Sequence, residues 1–334
     1  MASLKTLLPL ITVVPAHVNA WGNLGHTTIA YIAQSFVSDA TEQYAQKLLG
    51  DASDAYLANV ATWADTYRAT TAGKFSAPYH FLDALDSPPQ TCDVDYERDC
   101  PKEGCIISAI ANYSSRALDT DISTTEQQMA LKWVVHFLGD VHQPLHVENL
   151  DVGGNDIDVL FSGASTNLHA AWDTAMPQKD AGSFTQAHAS TWAQNLTSQI
   201  KTGQYKSLAK SWLTGLDASN PINSSMVWAK DTNSYVCTTV LPNGVSAVEN
   251  QELSGAYYNT AIPVISLQIA KAGYRLAAWL DAIVEQANNG LEIGSTEAME
   301  KRGTAKLEPW MEAARQARRD FGDDCGCGVN DHMH

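Results

Sequence analysis

Apolar residues recur along most of this chain with helical spacing, at i, i+3, i+4 and i+7. The pattern predicts helices over 24–36, 41–49, 126–138, 184–200, 205–213 and 264–285, with a further one over 223–240. Alternation of apolar and polar residues is confined to 156–161 (DIDVLF), which predicts one strand of a small hairpin at most. The Pro- and Cys-rich run 87–104 reads as a long loop that disulfides would have to tie down. No internal repeat is visible. The fold class that follows is all-α, a mostly helical single domain.

Both ends of the chain depart from this pattern. Lys5, the short apolar run 7–14 broken by Pro9, and the small residues before Trp21 read as a secretion signal, residues 1–20. That run is too short to span a bilayer, and nothing later approaches the length needed. The expected mature protein is therefore secreted, free of the membrane, and begins at Trp21. The domain then occupies 21–285. After Gln286 the composition turns polar and charged, so 286–334 is expected to be an appended, mobile extension. It contains one amphipathic stretch, 306–321, and a dibasic pair, Lys301-Arg302, that a secretory-pathway protease could cut. Near its end Cys325, Cys327, His332 and His334 could bind a metal or leave a strained disulfide.

Composition narrows the functional classes. Apolar content of 45% is ample for a full core, and six cysteines in a secreted chain imply disulfides, although about fifteen pairings are open. Asn112, Asn195 and Asn223 head glycosylation sequons, expected at the surface. A net charge of −16 argues against holding nucleic acid on a broad basic face. It does not oppose an enzyme that grips phosphate through divalent cations, which invert the local field.

The candidate chemistry lies in short clusters. In HFLGDVHQPLH, His136 and Asp140 are four apart and share one helix face, after which Pro144 turns the chain so that His146 can return. Two His and one Asp so arranged suit a metal of zinc type. In NLHAAWD, His169 and Asp173 repeat the four-residue spacing on what should be one helical turn. Asp65 lies in ATWADTYR, and His80 and Asp83 in PYHFLD. A lone buried His or Asp is more often a satisfied structural residue than a ligand, but five such histidines, counting His26, with Asp65, Asp140 and Asp173 are harder to dismiss. His142 and His188 lack this support. Trp21 adds a further donor: freed by signal cleavage, its α-amine and carbonyl oxygen can chelate a metal, with His26 one turn further on.

Taken together, WGNLGH, ATWADTYR, HFLD, VVHFLGD, QPLH, GGN, NLHAAWD and IAKAGYRLAAWL resemble, in order, the secreted fungal zinc-dependent single-strand nucleases of the S1/P1 type, in the superfamily of zinc phospholipase C. The resemblance covers about 21–283. It implies the zinc phospholipase C/nuclease-like fold and three Zn2+ ions. One would be held by Asp65, His80 and His136, with Asp140 bridging. A second would be held by the amine and carbonyl of Trp21, His26 and Asp140, and a third by His146, His169 and Asp173. It also implies disulfides Cys92–Cys237 and Cys100–Cys105. The implied reaction is attack by a zinc-activated hydroxide on single-stranded DNA and RNA, giving 5′-phosphorylated products, with 3′-nucleotidase activity on 3′-mononucleotides. Asp65 and Arg68 would be catalytic, while Phe81, Asp83 and Asn155 would bind a base by stacking and hydrogen bonds. Ala175 and the stretch 162–166 stand where the family varies, so no secondary nucleotide site carries over. A monomer is expected. The alternatives are a zinc-dependent phospholipase C and a non-catalytic zinc-stabilised binding protein.

Overall fold

The computed structural model describes residues 21–290 and 301–324. The secretion signal and the group Cys325, Cys327, His332 and His334 lie outside the described residues. The long helices are α1 (Asn23–Gln34), α2 (Asp39–Leu49), α3 (Trp63–Arg68), α4 (Ile106–Leu118), α5 (Thr124–Asp140), α6 (Gln186–Lys201), α7 (Pro221–Tyr235), α8 (Ala256–Asn288) and α9 (Pro309–Asp324). The one sheet among the described residues is an antiparallel hairpin of β1 (Asp158–Phe161) and β2 (Ala164–Asn167), turned at Ser162-Gly163. The all-α expectation with a small hairpin therefore holds.

Local chemistry explains where the site-bearing helix begins and ends. Ser123 and Glu126 cap α5 reciprocally: the Ser123 hydroxyl accepts from the Glu126 N–H at 3.2 Å, and Glu126 accepts from the Ser123 N–H at 3.1 Å. The helix then becomes buried from Trp133 onward and ends at Asp140. Helix α8 runs through Pro263 and packs along α1, α4 and α5, with Trp279 fully buried and its indole N–H donated to the Ser114 hydroxyl at 2.9 Å.

Several elements differ from the sequence pattern, the short helix α3 among them. Helix α4 has no counterpart there: its first six residues, Ile106 to Ala111, are all buried and show no polar face, which begins only at Asn112. The predicted helix over 205–213 is a set of turns ending in a 3-10 segment, Ala209–Leu213. In the expected mobile extension, residues 309–324 form α9, which lies against the domain near Leu150–Gly154. Cys92 is bonded to Cys237 and Cys100 to Cys105, the pairing that the resemblance implied. Asn112, Asn195 and Asn223 are all exposed.

A buried ionic network fixes the turn that follows α5. The His142 Nδ1–H donates to the Leu138 carbonyl at 2.7 Å, and its Nε2 accepts from Arg275 of α8 at 3.0 Å. Burial, and after it the Arg275 charge, hold His142 well below the usual imidazole range, so it stays neutral as this pairing needs. Arg275 and Lys271 both bond Asp231 of α7 at 2.9 Å. Gln268 donates to the His142 carbonyl at 3.1 Å. His142 is thus a satisfied structural histidine that ties the 138–146 turn to two helices. Removing Asp231 would leave two buried cations unpaired. Asp231→Ala is expected to cost about 3 kcal/mol, far more than a surface Asp→Ala, read as a lowered denaturant midpoint with an unchanged slope.

Candidate metal centre

Five side chains from four segments converge at the C-terminal end of α5. His136 donates its Nδ1–H to the Ala61 carbonyl at 2.7 Å, which turns Nε2 inward. Asp140, one turn on, places Oδ2 3.3 Å from that Nε2 and 3.0 Å from His80 Nδ1. His26 of α1 puts Nε2 3.0 Å from Asp140 Oδ1 and stacks its ring on His136, with centroids 3.9 Å apart. Asp65 of α3 brings Oδ1 to 3.5 Å from His136 Nε2 and 3.7 Å from His80 Nδ1. This packing depends on the hydrogen atom of Gly139: a Cβ there would lie 2.7 Å from His26 Nδ1.

A second group forms beyond the turn. His146, on the short Pro144–Val147 turn, donates Nδ1–H to the His80 carbonyl at 2.8 Å. His169 donates Nδ1–H to the Gly153 carbonyl at 2.6 Å. The two Nε2 atoms then face each other at 3.1 Å, and Asp173 Oδ2 sits 3.1 Å from His169 Nε2. The His169–Asp173 pair does not occupy a regular α turn: Leu168–Ala170 is α-helical and Ala171–Ala175 is a π turn, a form common at functional sites. The Gly153 carbonyl is aimed by a left-handed run over 151–154, with φ of 47°, 59°, 62° and 77°. Trp21 is fully buried, and the N–H of Gly22 bonds the Asp173 carbonyl at 2.9 Å, so the start of the domain is seated at this group.

Charge and hydrogen bonding describe a site built for cations. Both Asp65 oxygens, Asp140 Oδ1, Asp173 Oδ2 and the Nε2 atoms of His26 and His136 are buried without a hydrogen-bond partner. Burial alone would raise the carboxyl pKa values, but the His136 charge, helped at Asp65 by Arg68, outweighs it and keeps Asp65 and Asp140 below their usual range. His136 is raised to about 10, because Asp140 and Asp65 outweigh its own burial. His80 is lowered to about 4 by burial and by Arg68. Ionised carboxylates, mostly neutral imidazoles and inward nitrogens fit a metal of zinc type, and the donor set contains no thiolate. Three sets of donors are mutually within 4.8 Å: His26, Asp65 and His136; His80, His136 and Asp140; His146, His169 and Asp173. All eight side chains expected as ligands fall in these sets, but Asp65 groups with His26 as well as with the His80–His136 side.

Of the residues expected to meet substrate, Phe81 directly follows His80 of the first group. The Leu82 N–H bonds the His146 carbonyl at 2.8 Å and the Ile106 N–H bonds the Phe81 carbonyl at 3.0 Å, which fixes the segment around Phe81. Asp83 and Asn155 are buried, and Asn155 Oδ1 has no partner. Arg68 reaches 3.7 Å from Asp65 Oδ1. Ala175 ends the π turn, 162–166 forms the hairpin turn and part of β2, and exposed His188 gives its backbone N–H to the Thr185 cap of α6 and its Nδ1–H to the Ser183 carbonyl at 2.6 Å.

Three further residues act here without a clear sequence signal. Gln143 donates its amide to Asp173 Oδ1, Gly139 admits the His26 ring, and Arg318 of α9 lies over Phe81. The QP pair before His146 marks only a turn, and Gly139 reads as a helix end.

The S1/P1 Nuclease family model matches residues 21–285. Nuclease S1 of Aspergillus oryzae is 57% identical over 266 residues, 80% of this chain and 92% of its own length. Nuclease PA3 of a Penicillium species and Nuclease P1 of Penicillium citrinum are each 50% identical over 263 residues, 79% of this chain and 97% of their own.

Gly139→Ala should displace His26 while leaving α5 intact. The expected result is a far-ultraviolet spectrum like that of the wild type and metal affinity at the α5 group weakened roughly 10- to 100-fold, measured by titration of the metal-free protein with Zn2+.

Proposed function

The chain belongs to the S1/P1 nuclease family and is a nuclease, and from that premise we propose a three-zinc, single-strand-specific endonuclease, secreted and monomeric, that also acts on 3′-mononucleotides. The observation that carries the reading is the pair of buried His/Asp groups in which each aspartate keeps at least one oxygen unpartnered. In this reading Asp65, His80, His136 and Asp140 hold one ion. Trp21 and His26, with Asp140, hold a second, and His146, His169 and Asp173 hold a third. Zinc bound there supplies Lewis acidity and a water of lowered pKa.

The chain's own residues do the remaining work. Asp65, kept ionised beside His136, orients the attacking water by accepting its hydrogen bond. Arg68, at the rim beside Asp65, takes phosphate oxygens and offsets the charge that develops on them. Phe81 stacks a base, and Asp83 and Asn155 hydrogen-bond its edge. A base must leave its stack to make those contacts, which favours single strands over duplex. Cleavage on the 3′-oxygen side of phosphorus leaves 5′-phosphorylated products. The family and its 50–57% identities favour this over the phospholipase C alternative. Among the described residues no helix is long and apolar enough to cross a membrane.

The test is incubation of purified, zinc-loaded protein beginning at Trp21 with heat-denatured DNA, duplex DNA and phosphatidylcholine. The expected outcome is 5′-nucleotides from denatured DNA alone, lost on chelation and reduced by at least about 10³-fold in Asp65→Asn. Phosphocholine release without DNA cleavage would overturn the proposal. The N-terminal ligand has its own test: one additional residue before Trp21 turns the amine into an amide, a poor ligand. Such a chain should bind about one Zn2+ fewer by metal analysis and lose most activity, and full zinc content would remove Trp21 from the ligand set.

A further inference from the structure

We propose that α9 is an intramolecular inhibitor that places the Arg318 guanidinium where the substrate base binds. The inference rests on the reading of Phe81 and Asp83 as base-contacting residues, and it concerns a segment beyond the part of the chain that the family model matches.

The geometry is that of a base surrogate. The Arg318 guanidinium carbon lies 4.0 Å from the centroid of the Phe81 ring, and Arg318 Nε lies 3.5 Å from Asp83 Oδ1. A guanidinium is planar, delocalised and rimmed with donors, so it stacks on an aromatic face while its edge addresses a carboxylate. Those are the two contacts expected of a nucleobase at this place, and one face of Phe81 cannot hold both at once.

The surroundings accommodate this side chain closely. Arg318 is 7% exposed, although the other charged residues flanking it in α9, Arg319 and Asp320, are exposed. A Cβ on Gly153 would lie 2.4 Å from Arg318 Nη1, so the glycine that aims its carbonyl at His169 also leaves room for the guanidinium. Met311, Ala314, Arg315, Arg318 and Phe321, spaced 3, 1, 3 and 3 apart, form the face of α9 that is not fully exposed. Arg315 adds a bond to the Arg98 carbonyl, and upstream Arg302 donates to the Lys102 carbonyl at 3.0 Å. The helix is thus anchored at points outside the pocket it fills.

A tethered competitor lowers the fraction of molecules able to bind substrate and raises the apparent dissociation constant by the reciprocal of that fraction. Its strength comes from the effective concentration that the covalent connection provides. Lys301-Arg302 lies on the domain side of α9, so cleavage after that pair would turn the tethered helix into a dilute free peptide.

The test uses the full chain from Trp21, zinc-loaded, as wild type, Arg318→Ala and Ala314→Pro, the last to break α9 without altering the domain. Steady-state cleavage of a single-stranded oligodeoxynucleotide should show KM lowered about tenfold in both variants, equivalent to about 1.4 kcal/mol, with kcat unchanged. Amide hydrogen exchange over 309–321 should be slow in the wild type, fast in Ala314→Pro, and faster in the wild type with saturating adenosine 5′-monophosphate. A raised KM in Arg318→Ala would instead make Arg318 a substrate ligand and overturn the proposal. So would an unchanged KM, or wild-type exchange that is fast throughout or indifferent to the nucleotide. If none of the three proteins cleaves the oligonucleotide, the nuclease reading of this site fails, and the exchange experiment alone decides whether α9 and a nucleotide compete.

Discussion

The arrangement turns on one electrostatic constraint: Asp65, Asp140 and Asp173 are buried with oxygens that no N–H or O–H reaches. An ionised carboxylate without a partner is too costly to bury in a protein interior unless positive charge lies beside it. In the protein alone, that charge comes from imidazole, above all His136, whose raised pKa reflects two neighbouring carboxylates. Protons on imidazole rings that are themselves buried offset three carboxylates poorly. Divalent cations offset them well, and the inward-facing nitrogens are already turned to receive them. Folding and metal binding are therefore linked in this domain, because the same charges oppose the first and drive the second.

That constraint accounts for the scaffold. In His136, His146 and His169 one ring nitrogen is spent on a backbone carbonyl, of Ala61, His80 and Gly153 respectively, which fixes the other nitrogen's direction. The carbonyl used by His146 belongs to His80, itself part of the first group, so the two metal groups share a few residues of backbone and hold each other in register. The turn between Asp140 and His146 is secured from the opposite side, where Arg275 grips His142 and Asp231 neutralises Arg275. The polar network far from substrate is thus part of what places the ligands.

Short-range features of this design were legible in the sequence, and long-range ones were not. The His136–Asp140 spacing and the Pro144 turn could be read directly, because both depend on a single helix end. The His169–Asp173 spacing was visible, but not the π turn that carries it, since a π turn is set by neighbouring packing rather than by period. The approach of His26 and Asp65 to α5 depends on long-range packing, and only the resemblance to a family supplied it. Helix α4 escaped notice because its first six residues, 106–111, are buried on every side and show no polar face, exposure beginning only at Asn112. Arg318 escaped for the opposite reason: in a hydropathy pattern a charged residue reads as solvent-facing, and nothing within α9 singles it out from Arg315 or Arg319. Its burial depends on Phe81, Asp83 and the space over Gly153, all more than 150 residues earlier in the chain.

The net charge of −16 takes on meaning in this setting. A polyanionic substrate is repelled by such a surface, so in the proposed function affinity would be local: ions in the His/Asp groups, Arg68 beside Asp65, and stacking on Phe81. Few phosphates are then neutralised per binding event, unlike the many counted by proteins that follow a duplex backbone. A site of that kind recognises one nucleotide at a time and derives much of its selectivity from an unstacked base. It also exposes one small aromatic and acidic recess that a single planar cation can fill. Arg318 is the right size and charge for that recess, whereas blocking an extended basic groove would take a far larger segment.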